Sequence, residues 1–338
     1  SLRDDVWVSS ASGTGGEPGL LRSLRAELGD RGIRSITVDP TLGSAEVAAL
    51  VADELLAAGP VEVALGDGVR ATREVAVVDR SPLSDETAGT VVPPGAVVLL
   101  TGGARGITAL VARRLAAAGA AHLALVGRSP LPDAPEADDL AAATSAKEVR
   151  QVLLARGALR TPAEVEAACR TVLAEREVRA TLADIAAAGA SVSYHPLDVR
   201  DTDALTGLVA DLVAEHGRLD GIVHGAGVIE DRFLRDKTPE SYRRVYGTKV
   251  DGARALLAAA PDDLGFLVLF GSVSGVFGNR GQVDYAAAND ALDALARTEA
   301  RLAGRVLSID WGPWGGSGMV SDELAREYER RGIGLIDP

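Results

Sequence analysis

Short runs of consecutive apolar residues alternate along the chain with longer stretches in which apolar positions recur every three or four residues. The first pattern predicts strands buried on both faces, the second amphipathic helices. In the first 80 residues, Asp5–Ser9, Arg34–Asp39, Val61–Leu65 and Glu74–Val78 read as strands, and Glu17–Leu28 and Ser44–Ala58 as helices, a small β-α-β-α-β unit. Ser81–Pro94 lacks apolar periodicity and ends in Pro93-Pro94, the mark of a linker. A longer series follows, with strands at Ala96–Thr101, His122–Val126, Ser191–Tyr194, Gly221–His224, Phe266–Phe270 and Val306–Asp310. Helices are expected between them at Thr108–Ala118, Thr202–Glu215, Pro239–Ala260 and Tyr285–Ala303. This alternation predicts an α/β fold, a Rossmann-like doubly wound parallel sheet whose ligand lies beyond the carboxyl ends of the strands.

The segment between Arg128 and Ser191 is longer than one crossover needs. Helical spacing over Asp138–Ala155 and Pro162–Ala188, with Thr161-Pro162 as a start and Gly189 as a stop, predicts an added helical hairpin over about 130–190. It reads as an interaction surface rather than a catalytic element, with Cys169 a small packed residue inside it.

Composition removes several classes of function. Apolar residues make up 47% of the 338, against 25% charged, which excludes disorder for the bulk of the chain. The formal net charge of -13 argues against nucleic acid as a partner. A single cysteine precludes an internal disulfide, and His122, His195, His216 and His224 lack metal-ligand spacing, so no metal is expected. No apolar stretch is long enough for a membrane span and no signal peptide is evident, so the expectation is a soluble protein of a reducing compartment, the cytoplasm. The absence of an initiating Met and the abrupt end at Asp337-Pro338 suggest a piece of a longer polypeptide.

Candidate chemistry clusters at strand ends. Thr101-Gly102-Gly103-Ala104-Arg105-Gly106-Ile107-Thr108 joins a strand to a helix, the context in which glycines let a dinucleotide pyrophosphate approach backbone N–H groups. Thr108 stands where a third glycine is usual. The next strand runs into Arg128-Ser129, where an NAD site would carry an acid; Arg128, with Arg105, suits the 2′-phosphate of NADP, although a solvent-exposed loop arginine would look the same. Asp198-Val199 would face adenine, with Asp201 as an alternative helix cap, and Gly225-Ala226-Gly227 offers a smooth wall to the cofactor. His224 reads as a locally bonded residue. The other glycine cluster, Ser12–Gly16, has no proton donor or partner motif after it and reads as structural.

Ser272 ends a strand, Tyr285 opens a helix, Asn289 lies one turn further on, and Lys249 comes from the preceding helix. A phenol with a pKa near 10 needs a neighbouring cation to donate a proton efficiently near neutrality. Lys249 would supply that charge and bind the nicotinamide ribose, while Ser272 would bond the carbonyl oxygen that gains charge.

These residues resemble the short-chain dehydrogenase/reductase superfamily and, within it, the ketoreductase domains of type I polyketide synthases. The superfamily's usual Lys, four residues after the Tyr, is here Asn289, and the Lys stands at 249, an exchange characteristic of those domains. The helical segment with Glu177–Leu182 is most similar to ketoreductases of polyunsaturated fatty acid synthases and related assembly lines. The resemblance implies a cofactor-free structural subdomain over 1–90, a catalytic subdomain over 91–338, and a lid over 315–331 following Asp310–Gly315, with Pro313 at the cofactor and Trp314, Met319 and Gln282 near the substrate. It implies Tyr285 as proton donor, Ser272 as carbonyl partner, Lys249 as the residue that lowers the tyrosine pKa, and Asn289 as a positioning residue. The implied reaction is NADPH-dependent reduction of a β-ketoacyl chain tethered to an acyl carrier protein, among neighbouring synthase domains. Ile229-Glu230-Asp231, and Phe277 in place of a Trp eight residues before Tyr285, imply a B-type (3R) alcohol; Arg280, where epimerising domains carry Pro, implies no α-epimerisation. Arg232, Arg235 and Lys237 are candidates for carrier docking. The alternatives are a reductase of a small free ketone and a silent scaffold.

Overall fold

The computed structural model describes residues 15–29, 32–39, 41–57, 59–66, 68–76, 92–132, 134–316, 322–330 and 332–338. The expected strand Asp5–Ser9, most of the Ser12–Gly16 cluster, most of the linker and Met319 lie outside them. Helices and strands alternate as the apolar pattern requires. α1 (Glu17–Leu28), β1 (Ser35–Val38), α2 (Ser44–Leu56), β2 (Glu62–Gly66) and β3 (Val69–Ala71) come first. β4 (Val97–Thr101), α3 (Gly106–Ala117), β5 (His122–Gly127), α4 (Asp138–Ala141), α5 (Ala146–Ala155), α6 (Pro162–Ala187), β6 (Ser191–Pro196), α7 (Thr202–His216) and β7 (Gly221–His224) follow. The chain continues through α8 (Pro239–Ala259), β8 (Phe266–Ser272), α9 (Val273–Phe277), α10 (Val283–Thr298), β9 (Arg305–Trp311) and α11 (Asp322–Arg330). Six strands form one parallel sheet in the order β6-β5-β4-β7-β8-β9, and β1, β2 and β3 form a small separate one.

Two compact units emerge, one made of residues 1–91 and 227–313, the other of 92–226 and 314–338. In the second, β4 pairs in parallel with β5 and β7, and β5 with β6. All five residues of β4 are buried, which explains the unbroken apolar run Val97–Leu100. α5 and α6 each begin with a reciprocal cap, Ser145 with Glu148 and Thr161 with Glu164. They enclose a cluster of their own, made of Leu140, Ala143, Val149, Leu153, Val165 and Cys169. The single helix expected over Asp138–Ala155 is two, α4 and α5, because the Ser145 capping box restarts the helix.

In the first unit, β8 pairs in parallel with β9. The small sheet differs from expectation: Glu74–Ala76 are not strand, and its third strand is Val69–Ala71, antiparallel to β2 across a turn at Gly68. α1 lies against α10. Arg22 bonds Asp290 and Glu62 at 2.6 and 2.7 Å, and Gly16 N–H donates to Asp290 at 2.8 Å. A Cβ on Gly19 would strike the Ala286 carbonyl oxygen and lie 2.7 Å from the Asp290 Cβ. Gly15 and Gly16 thus serve close packing against α10, in keeping with a structural reading of that glycine cluster. α1 also holds the loop before α10, with Ser23 accepting from Asn279 N–H at 2.9 Å and Glu27 from Gly281 N–H at 3.1 Å. α10 begins two residues before Tyr285 and ends at Thr298, short of the expected Ala303.

No helix among the described residues is long and apolar enough to cross a membrane. Among the same residues, no group of three His, Cys, Asp or Glu side chains could hold a metal ion. Three of the histidines nevertheless converge: the His122 and His216 rings lie 4.3 Å apart, and Ser193 bridges His122 and His195 at 3.1 and 2.8 Å.

Candidate active site

In the second unit the dinucleotide candidates gather at the carboxyl ends of β4, β5 and β7. Thr101 is fully buried, with its hydroxyl 2.7 Å from His224 Nδ1 and accepting from Ala226 N–H at 3.4 Å. His224 is therefore a locally bonded core residue. Gly102, at φ +72°, donates to the Val126 carbonyl at 2.7 Å, and a Cβ there would come within 3.0 Å of Gly225 and Ala226 backbone. Gly103 is buried against Leu100 and Leu125, so its place is fixed by packing. A backbone this bare lets a phosphate group approach the loop ahead of α3, although Gly106 N–H, the first of that helix, is taken by the Glu177 carboxylate at 2.7 Å. α3 begins at Gly106, at φ +56°, with Ile107 next and Arg105 at the N-cap position.

Arg128 is exposed immediately after β5, and Ser129 accepts from the Tyr194 hydroxyl at 2.7 Å through its carbonyl. Asp198 is paired with Arg200 at 2.6 Å, and that hydrogen-bonded guanidinium, with a contribution from Arg128, holds its carboxyl below the usual carboxylate range. Val199 is buried, and Asp201 caps α7 by accepting from Ala204 N–H at 3.1 Å. Trp314 pairs with Ile336, and the expected lid contains α11. A nicotinamide dinucleotide fits these glycines and backbone donors, and Arg128 is an exposed cation beside them.

In the first unit, Lys249 on α8 is 4% exposed. Its ammonium donates to the Phe270 carbonyl at 2.7 Å and lies 5.4 Å from the centre of the Tyr285 ring. Burial pulls its pKa down to about 8, against the opposing pull of Asp310. Asp310, on β9, is hydrogen-bonded to Asp293 of α10, and burial together with that neighbouring carboxylate pushes it up to about 7. Ser272 ends β8 and caps α9, accepting from Ser274 N–H at 3.2 Å. Asn289 is fully buried and donates to the Tyr285 carbonyl at 2.8 Å, while its Oδ1 has no hydrogen-bond partner among the described residues. A buried acceptor of this kind costs free energy unless a ligand or water satisfies it.

The stereocontrol candidates separate. Gln282 donates to both oxygens of Asp231 at 3.1 and 3.0 Å and accepts from Ser274, which is bonded to Ser272. A chain of contacts thus runs from Asp231 to the carbonyl-binding candidate. Phe277, by contrast, is 62% exposed. Glu230 is held by Arg244 and Ser241, which lower its pKa to about 2. Lys237 corrects the docking expectation: its side chain is 2% exposed and paired with buried Asp284 at 2.7 Å. Arg232 and Arg235 remain on the surface, and Arg280 and Arg235 flank the Phe233 ring at 4.8 and 5.4 Å.

Sequence reasoning missed Asp310 as a neighbour of Lys249 and missed Glu177. Glu177 accepts from Gly106 N–H at 2.7 Å and from Arg105 Nε at 3.0 Å. An acid at the end of an apolar strand was the available sign for Asp310; Glu177 carried none, because its partners lie about seventy residues away.

The fold and these side chains define a short-chain dehydrogenase/reductase domain, and the chain matches the KR domain family over residues 96–316. It belongs to that family, the ketoreductase domains of synthases. It is 36% identical over 252 residues, 71% of this chain, to a polyunsaturated fatty acid synthase of Thraustochytrium sp.. It is also 36% identical over 321 residues, 93% of this chain, to polyketide synthase GfsB of Streptomyces halstedii. The matched regions span only 9% and 5% of those synthases. Among solved structures, an A1-type ketoreductase superposes with a TM-score of 0.76 at 29% identity, covering 99% of this chain and 64% of that one. The ketoreductase from the first module of phoslactomycin biosynthesis in Streptomyces sp. HK803 superposes with a TM-score of 0.74 at 28% identity, covering 98% and 70%.

Proposed function

We propose that this domain reduces a β-ketoacyl thioester, carried on an acyl carrier protein, to the (3R)-β-hydroxyacyl thioester with NADPH. The observation that carries the reading is the buried Lys249 ammonium beside the Tyr285 ring, with Ser272 and Asn289 belonging to the same unit. Thr101–Ile107 and the Gly225–Gly227 wall would hold the dinucleotide, Arg105 and Arg128 its 2′-phosphate, Asp198 and Val199 its adenine end, and Pro313 its nicotinamide end. When bound, the nicotinamide supplies a hydride to the β-carbon.

The chain's own residues then manage the proton. Tyr285 donates its phenolic proton to the carbonyl oxygen as that oxygen gains charge, and Lys249 stabilises the tyrosinate left behind. Ser272 hydrogen-bonds the same oxygen, and Asn289, through its unsatisfied Oδ1, holds a water or the ribose in the path by which Tyr285 is reprotonated. Asp231, tied to Gln282, would set which face of the ketone is presented, giving the B-type alcohol without epimerisation. Neighbouring synthase domains would supply the carrier, in the cytoplasm.

The test is turnover of a β-ketoacyl thioester, free and carrier-linked, with NADPH beside NADH, followed by chiral analysis of the alcohol. A preference for NADPH and an excess of the (3R) product are expected. An excess of (3S) product would overturn the stereochemical assignment, and NADPH binding without turnover of any such thioester would favour the scaffold.

A further inference from the structure

The long helix of the insertion reaches the dinucleotide-binding candidates of the second unit. Five polar residues of α6, from Arg176 to Asp184, fasten other pieces of the second unit. Arg176 pairs with Glu136 at 2.8 Å and donates to the Ala143 carbonyl at 2.7 Å. Arg179 donates to the Pro132 and Ala134 carbonyls, in the loop that follows Arg128 and Ser129. Thr181 and Asp184 take Arg113 of α3 at 3.1 and 2.9 Å. Between them, Glu177 divides its carboxylate: Oε1 accepts from Gly106 N–H at 2.7 Å and Oε2 from Arg105 Nε at 3.0 Å.

α3 has no side-chain cap of its own, so the Glu177 carboxylate serves its first turn. The contact with Arg105 uses Nε. A guanidinium held there keeps its plane fixed and can turn its two terminal nitrogens toward an anion, with less rotamer freedom to lose on binding. The same helix steadies both the loop bearing Arg128 and the helix behind Arg105.

We propose that Glu177 is a positioning residue for cofactor selection: it pre-sets Arg105 for the adenosine 2′-phosphate, making the insertion part of the specificity apparatus of the site. This rests on the NADPH reading above. A purely capping role would support the pyrophosphate alone, and that group is common to NADPH and NADH. The positioning role acts only where the 2′-phosphate is present.

Calorimetric dissociation constants for NADPH, NADH, adenosine 2′,5′-bisphosphate and 5′-ADP, in the unsubstituted domain and in Glu177→Gln, Arg105→Ala and the double variant, test it. Gln keeps an acceptor for Gly106 N–H but loses the charge that orients Arg105. Weakening of NADPH and of the 2′,5′-bisphosphate by about three- to five-fold is expected for Glu177→Gln, the size of a half-exposed ion pair, with NADH and 5′-ADP moved less than about two-fold. In the Arg105→Ala background the same change should do nothing further. Retained NADH binding shows that the variants are folded. Equal weakening of both dinucleotides, no change in either, tighter NADPH binding, or an additive effect without Arg105 would overturn the role of Glu177 alone. An unsubstituted domain that binds NADH as well as NADPH would overturn the cofactor reading and this proposal with it.

Discussion

On the proposed reading, Lys249 supplies the cation that Tyr285 needs. Its folded pKa of about 8 lies below the value of an exposed lysine, because burial disfavours the ammonium. Turnover is therefore expected to fall as pH rises through about 8, when Tyr285 loses its cation, and a pH profile of kcat at saturating substrate checks this. The stability effect has the opposite sign. Between about 8 and the ordinary lysine range the unfolded chain binds the extra proton, so this residue's contribution to stability grows as pH rises. Tyr285→Phe should lower turnover by about 10²- to 10⁴-fold, with NADPH affinity, read by calorimetry, nearly unchanged. The residue types of this site were legible because Ser272, Tyr285 and Asn289 lie within one stretch of sequence at strand and helix ends. Lys237 was not. Its cation looked like surface charge, and only the fold brings it to Asp284 and the Glu230 carbonyl.

At the level of elements, α1 and α10 approach through small residues. Gly→Ala in a helix ordinarily stabilises by about 0.5–1 kcal/mol. At Gly19 the sign should reverse, because the new methyl meets the Ala286 carbonyl and the Asp290 Cβ. A loss of about 1–3 kcal/mol, read as a lower midpoint in thermal or denaturant unfolding, is expected. Helices and parallel strands were readable from periodicity, since each buries a face or a whole strand in the core. The antiparallel β3 was not, because Val69-Arg70-Ala71 is exposed throughout and carries no alternation. Nor was the break between α4 and α5, where a local cap outweighs a continuous helical pattern.

Across the whole molecule the net charge is -13, yet Arg232, Arg235 and Arg280 stand exposed around Phe233. Arg235 is paired with Asp236 at 3.4 Å, and Glu27 accepts from Leu234 and Gly281 N–H beside them, so the cationic excess is small; on the proposed reading it would steer an acidic carrier. KM for a carrier-linked substrate should therefore rise as salt shortens the Debye length, whereas KM for the free thioester stays flat. Arg280→Ala should flatten the first curve; equal salt curves for both substrates would remove the patch from docking.

The grip of α1 on α10 and on the loop at 279–281 bears on how this domain can be transplanted. The chain that builds α10 is separated in sequence from the helix that braces it by more than two hundred positions. A transplant cut just ahead of β4 would carry every residue of the proposed chemistry and leave behind the partners of Asp290, Asn279 and Gly281. The portable piece is therefore defined by the buttress and not by the catalytic motif, and an exchange that respects only the motif inherits a catalyst without its foundation.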